Sequence, residues 1–192
     1  YVMSPPIRDR HQQEALWQGL RDGSISTVAT DHAPFDFETQ KHMGHPDPAQ
    51  CLKADFQPSG KPGNFSLIPN GIPSIEERIK LLYTEGVLLG KISLETFVAV
   101  ASTNAAKVFG LYPKKGEIAV GSDADIVVFD PKPTSTISAK THHMATDYSA
   151  FEGREVSGQI RDVTVRGRFV VRSGALVVGE GGGRYLARPC TH

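Results

Sequence analysis

The spacing of hydrophobic positions along the chain changes period several times, and each change marks an element. Between Arg10 and Arg21, Ala15, Leu16 and Leu20 recur at helical spacing, with Asp9 placed to cap the start and Asp22-Gly23 to stop the run. A helix is predicted there. A short β-branched stretch follows, Ser26-Thr27-Val28-Ala29-Thr30, which leads into Asp31-His32-Ala33-Pro34-Phe35. Bounded by turn residues, it predicts a buried strand that delivers an aspartate and a histidine at its end. From 35 to 73 the periodicity fades among Gly, Pro and polar residues, the signature of a long loop, which in a compact domain is usually functional or mobile.

Helical spacing then returns. Ser74-Ile75-Glu76-Glu77 reads as a capping box, and Ile79, Leu82 and Tyr83 continue an apolar face until Gly86 or Gly90. Ser93 opens a further helix with Phe97, Ala101, Ala105 and Val108 on one side and Gly110 at its end. Beyond Lys115-Gly116 the period shortens. Ile118, residues 124–129, 160–165, 169–171 and 176–178 read as short strands between Gly, Asp and Pro turns. Residues 131–158 between them form an irregular polar insert carrying His142, His143 and Tyr148.

Helix followed by strand is the repeat of a parallel α/β fold, and in α/β barrels the chemistry sits at the strand ends. A barrel needs eight such repeats and about 250 residues, so only its last portion is predicted among these 192 residues. The expected organisation is residues 1–112 as the end of a barrel and 113–192 as a small β domain with a C-terminal tail. The chain begins at Tyr1, without methionine and already within patterned sequence, and is expected to be a piece of something longer.

Composition narrows the function. An apolar content of 39% fits a folded globular protein, and the 21 basic and 21 acidic residues cancel. No basic field is present to hold nucleic acid or an anionic membrane surface, so neither partner is expected. Cys51 and Cys190 lie far apart with no metal or redox spacing, which points to a reducing, cytoplasmic setting. No apolar run reaches the roughly 20 residues that cross a bilayer.

Asp31 stands out as candidate chemistry, with a plainer reading beside it. Asp31 either supplies a carboxylate at a strand end or caps a solvated turn closed by Pro34. Ser4 lies in a Ser-Pro-Pro turn and Asn70 in an Asn-Gly turn, where both residue types also serve the backbone alone. His32 follows Asp31, and adjacent strand residues point to opposite faces, so a packing or supporting role is expected for it. His42 and His45, with Asp47 and Asp55, have weak spacing for a metal in a Pro-rich loop. Trp17 and the methionines read as packing or surface residues.

Further motifs, in order, carry a resemblance. Lys115-Gly116-Glu117-Ile118 followed by Gly121-Ser122-Asp123-Ala124-Asp125-Ile126-Val127 resembles the re-entry of an amidohydrolase-superfamily chain into its β-sandwich. Ser4-Pro5-Pro6-Ile7-Arg8, Asp31 to Phe35, Gln40-Lys41, Ile68-Pro69-Asn70-Gly71, Glu77-Arg78, Asp147-Tyr148-Ser149 and Phe151-Glu152-Gly153 resemble the dihydropyrimidinase and hydantoinase family. The resemblance implies the C-terminal part of a TIM-like (β/α)8 metal-dependent hydrolase barrel followed by part of a β-sandwich. It differs from many relatives in an apparent insertion from His45 to Gly63.

The resemblance also implies a reaction, the hydrolytic opening of 5,6-dihydropyrimidines or hydantoins to N-carbamoyl amino acids. Opening a cyclic amide at neutral pH needs a hydroxide, a polarised carbonyl and a proton for the departing nitrogen. In the family two Zn2+ ions bridged by a carboxylated lysine serve this chemistry. The position of Asp31 supplies one ligand and the general base, while those of Ser4 and Asn70 hold the cyclic imide, largely through backbone groups. The lysine and the histidine ligands belong to barrel strands outside this sequence, so the piece alone is expected to be inactive. A homotetramer is implied as well. Two other readings stand beside this one: a non-catalytic scaffold of the same fold, and another cyclic amidohydrolase such as dihydroorotase or allantoinase. Retention of Asp31 and Asn70 favours the enzyme over the scaffold.

Overall fold

A computed structural model describes residues 1–44, 65–179 and 181–188. The segment 45–63 expected to be an insertion, with His45, Asp47 and Asp55, lies outside the described residues, as do Cys51 and Cys190. The chain divides into two compact units, one built from residues 1–12, 30–78 and 136–155, the other from 13–29, 79–135 and 156–192.

The second unit holds the principal core. Helix α1 (Gln13–Asp22) is followed by Gly23 at φ 82°, as the Asp-Gly stop predicts. Its buried stripe is shifted from the expected one: Leu20 is buried and Trp17 packs on the core, whereas Leu16 is 53% exposed. Leu20 joins Leu82, Tyr83, Ile92, Phe97 and Val100, with Ile25, Val28 and Phe129 against them. Tyr83 meets Phe129 edge-on at 4.9 Å between ring centres, a geometry that places the positive edge of one ring on the negative face of the other.

Helix α2 (Arg78–Leu82) continues through a wider π turn at Tyr83–Leu88. It starts later than the Ser74 capping box predicts. Ser74 and Glu77 are not spent on capping: the Ser74 hydroxyl donates to the Thr30 carbonyl, and the Glu77 carboxylate accepts from Ser149. The next helix starts as predicted. The Ser93 side chain accepts from the Thr96 N–H and opens α3 (Leu94–Val98), which runs through a π segment at Ala99–Thr103 into α4 (Asn104–Val108). Gly110 follows at φ 67°.

Four strands form one sheet in the order β1 (Val127–Thr136), β2 (Glu155–Val165), β3 (Arg168–Arg172) and β4 (Ala175–Leu176). β2 pairs antiparallel with β3, and β3 with β4. The two-residue loops Arg166-Gly167 and Ser173-Gly174 each place both residues at positive φ, which matches the right-handed twist of the strands they join. The polar insert is shorter than expected, because residues 131–136 and 155–158 belong to strands. No strand forms at Ile118, which is 85% exposed.

Residues 26–35 run without forming a strand. They make isolated backbone bonds, not a ladder: the Val28 N–H donates to the Val100 carbonyl at 3.0 Å, and the Ala33 N–H to that of Ile72 at 3.3 Å. A parallel strand is defined by a ladder to its neighbours, and the sheet among the described residues is the antiparallel one above.

Candidate active site

Ser4, Asp31 and Asn70 all belong to the first unit and all are exposed. Backbone hydrogen bonds tie the segments that carry them. The Gly71 N–H donates to the Val2 carbonyl at 3.1 Å, which brings the turn of Asn70 beside the segment of Ser4. The Ala33–Ile72 bond lays the continuation of Asp31 alongside that same turn. Gly71 permits this approach. It sits at φ 153°, and a Cβ there would stand 2.6 Å from both the Cβ and the carbonyl oxygen of Ala33.

Asp31 itself adopts φ 46°, the left-handed region that few residues other than Gly, Asn and Asp visit at low cost. Backbone held in this region in a non-glycine residue clusters at functional sites, where the surrounding structure over-determines it. The residue after it explains part of that constraint. His32 Nδ1 accepts the backbone N–H of Ser74 at 3.1 Å and of Ile75 at 3.3 Å. An accepting Nδ1 carries no proton, so the neutral ring keeps its hydrogen on Nε2. His32 is therefore fastened to the backbone, the supporting role expected of it.

Behind this surface lies a layer of buried polar side chains. Lys41 is 7% exposed, Ser74 7% and Glu77 2%. The Lys41 ammonium donates to the Val2 carbonyl at 2.9 Å and to that of Pro69 at 2.5 Å, and lies 5.5 Å from the centre of the Phe35 ring. Burial holds its pKa below the ordinary lysine value.

The remaining motifs brace the same loop. Both carboxylate oxygens of Asp147 accept backbone N–H groups, from Phe37 at 2.6 Å and Glu38 at 3.0 Å. Tyr148 packs its ring 5.5 Å from that of Phe37, and burial, with Asp147 and Tyr1 adding to it, pushes its hydroxyl up to about 12. Ser149 donates to Glu77 at 3.0 Å. Glu76 receives the His143 N–H at 2.6 Å and lies 3.1 Å from His143 Nδ1. Sequence reasoning missed these bracing roles, although Gln40-Lys41, Glu77-Arg78 and Asp147-Tyr148-Ser149 had all been singled out as motifs. Gln40 likewise closes its own turn, its side-chain oxygen accepting from the Asp36 N–H at 2.7 Å.

An exposed aspartate is a suitable oxygen donor for zinc, yet among the described residues no three His, Cys, Asp or Glu side chains gather to hold a metal ion. His42 sits edge-on to Phe37 at 4.5 Å between ring centres.

Together these elements define an α/β protein whose candidate site gathers in one unit. A family model described as the amidohydrolase family matches residues 8–170, and the chain belongs to that family. It is 47% identical over 188 residues to a D-hydantoinase of Geobacillus stearothermophilus, covering 98% of this chain and 36% of the relative. It is 42% identical over 189 residues to a dihydropyrimidinase of Rattus norvegicus, covering 98% of this chain and 33% of that protein. Among solved structures, a D-hydantoinase from Bacillus sp. AR9 matches with a TM-score of 0.87 and 49% identity, over 98% of this chain and 37% of the other. The chain thus spans about a third of the length of the curated relatives it matches.

Proposed function

We propose that the complete protein containing this chain opens cyclic amides hydrolytically, converting 5,6-dihydropyrimidines or hydantoins to N-carbamoyl amino acids. The observation that carries the reading is the joining of the Ser4, Asp31 and Asn70 segments by the Gly71–Val2 and Ala33–Ile72 bonds, in a chain of the amidohydrolase family. In this reading residues 1–112 end a TIM-like barrel and residues 113–192 form part of a β-sandwich. The protein is cytoplasmic and assembles as a homotetramer. For location, the structure supplies one fact: among the described residues no helix is long and apolar enough to cross a membrane.

Asp31 has two roles in this proposal. Its carboxylate would be one ligand of a zinc pair, the others coming from residues outside this sequence, a carboxylated lysine among them. Zinc, when bound, lowers the pKa of its water from near 16 to about 7 and so makes a hydroxide available at neutral pH. The same Asp31 carboxylate would take the proton of the attacking oxygen and pass it to the departing ring nitrogen. Balanced over the reaction, one C–N bond breaks, one C–O bond forms and one water is consumed.

Ser4 and Asn70 bind the ring in this scheme, mainly through main-chain N–H and C=O groups. A –CO–NH–CO– edge offers acceptors and a donor in fixed alternation, and a site built for these hydrogen bonds rejects rings that leave its groups unpaired. The test is a substrate panel of dihydrouracil, hydantoin, dihydroorotate and allantoin, run on the complete zinc-loaded protein with detection of the ring-opened product. Turnover of dihydrouracil or hydantoin well above the other two is expected. Preference for dihydroorotate or allantoin, or turnover of none of the four, contradicts the reading.

A further inference from the structure

Lys41 is buried, charged and unused by the chemistry above, and its contacts point to a task. Its ammonium group reaches two main-chain carbonyls, Val2 at 2.9 Å and Pro69 at 2.5 Å, which belong to segments 67 residues apart. The ring of Phe35 lies 5.5 Å from the nitrogen and offers its negative face to the cation. An ammonium has three donors and no acceptor, so carbonyl oxygens and a ring face are partners that favour it.

The consequence falls on Asn70, through the planarity of its two peptide groups. In a trans peptide the C=O and the N–H point in opposite directions. The Pro69 carbonyl and the Asn70 N–H share one such group. With the carbonyl drawn to Lys41, the Asn70 N–H is aimed away from it. The Asn70 carbonyl and the Gly71 N–H share the next group, and that N–H is drawn to the Val2 oxygen. The Asn70 carbonyl is therefore directed away from Val2. Both orientations depend on the Val2 carbonyl, which Lys41 and Gly71 share, and on the Pro69 carbonyl, which Lys41 holds.

We propose that Lys41 is a positioning residue for substrate recognition: it fixes the direction of the Asn70 N–H and C=O, the donor and acceptor that face the –CO–NH–CO– edge of the ring. This assignment rests on the cyclic-amide reading given above. Lys41 touches neither substrate nor Asp31 in this role. Its removal weakens ring binding and leaves the chemical step in place.

The test uses the complete, zinc-loaded protein and compares Lys41→Met with the unaltered chain. Methionine keeps an apolar stem over Phe35 and lacks the donors. The expected result is a KM for dihydrouracil or hydantoin raised about tenfold or more with kcat within about threefold, since the lost contact orients the bound ring before and during reaction alike. In an Asp31→Asn background, where turnover is absent, calorimetric binding of the same ring is expected to weaken by a similar factor on adding Lys41→Met. Should Lys41→Met not fold, Lys41→Gln, whose amide is too short to bridge both carbonyls, takes its place with the same criterion. An unchanged KM and ring affinity overturn the assignment. So does a fall in kcat with KM unmoved, or failure of both variants to fold, either of which makes Lys41 a residue of the core or of the chemistry. Failure of the cyclic-amide reading is recognised separately, by an unaltered protein that neither binds nor opens these rings.

Discussion

At the scale of single residues, the candidate site depends on a few positions where backbone geometry leaves little choice. Gly71 is one. A methyl group there meets the Ala33 backbone at 2.6 Å, in a conformation that L side chains rarely adopt, so Gly71→Ala is expected to cost more than about 2 kcal/mol. Urea unfolding of the complete protein measures this, and a change within about 0.5 kcal/mol, the range of ordinary surface substitutions, would show that the turn can relax. His32 is another. Replacing it by leucine leaves the N–H groups of Ser74 and Ile75 without their acceptor, at an expected cost of about 1–3 kcal/mol. Zinc content should be unchanged by His32→Leu, and loss of metal with stability intact would make His32 a ligand instead. The sequence offered Asp31 as a candidate by residue type and position, and Ser4 and Asn70 through the motifs that carry the family resemblance. It could not show Lys41 holding two carbonyls, because a charged side chain serving main-chain groups far away in sequence has no local pattern.

At the scale of elements, legibility followed the range of the forces involved. Stops and caps set by neighbouring residues were read correctly, as at Asp22-Gly23 and at Ser93. The Ser74-to-Glu77 box failed because tertiary partners at Thr30 and Ser149 took those side chains. The stretch 26–35 failed as a strand because a strand exists only through its neighbours. The hairpins make a prediction of their own. Arg166 occupies φ 51° in a two-residue loop, a position that asparagine tolerates better, so Arg166→Asn is expected to be neutral or stabilising by up to about 0.5 kcal/mol. Thermal unfolding checks it, and clear destabilisation would show that the arginine side chain holds the turn.

The same region should respond to acid. The Ser173 N–H and then Arg161 hold the Asp162 carboxyl below its ordinary 3.8, and Lys114 and then Lys115 do the same for Asp123. Over that window the unfolded chain binds more protons than the folded one, so stability rises with pH. The contribution is complete above the ordinary value and is lost as pH falls through the lower folded one. Urea midpoints measured from pH 6 down to pH 2.5 are expected to fall most steeply below about pH 4, and less steeply in Asp162→Asn. Equal slopes in the two proteins would remove Asp162 from the account.

At the scale of the whole molecule, family membership rests on a match over residues 8–170 and on relatives covered to about a third of their length. Large apolar side chains stand exposed among the described residues, including Phe65 at 79%, Ile118 at 85% and Leu176 at 75%. The balance of 21 basic and 21 acidic residues was legible from composition alone. The residues proposed to complete the site could not be read, since the proposal places them outside these 192.

The central claim is that Asp31 is the base of a cyclic-amide hydrolase, and Asp31→Asn in the complete protein tests it most directly. Asparagine is nearly the same size and tolerates the φ of 46° at this position, so the fold is expected to persist, with a Tm within about 3 °C for a change near 1 kcal/mol or less. Ring opening of dihydrouracil or hydantoin is expected to fall by a factor of about 1,000 or more, in line with loss of a proton-transfer group that also ligates metal. A folded Asp31→Asn protein that turns over these rings at near the unaltered rate would contradict the account.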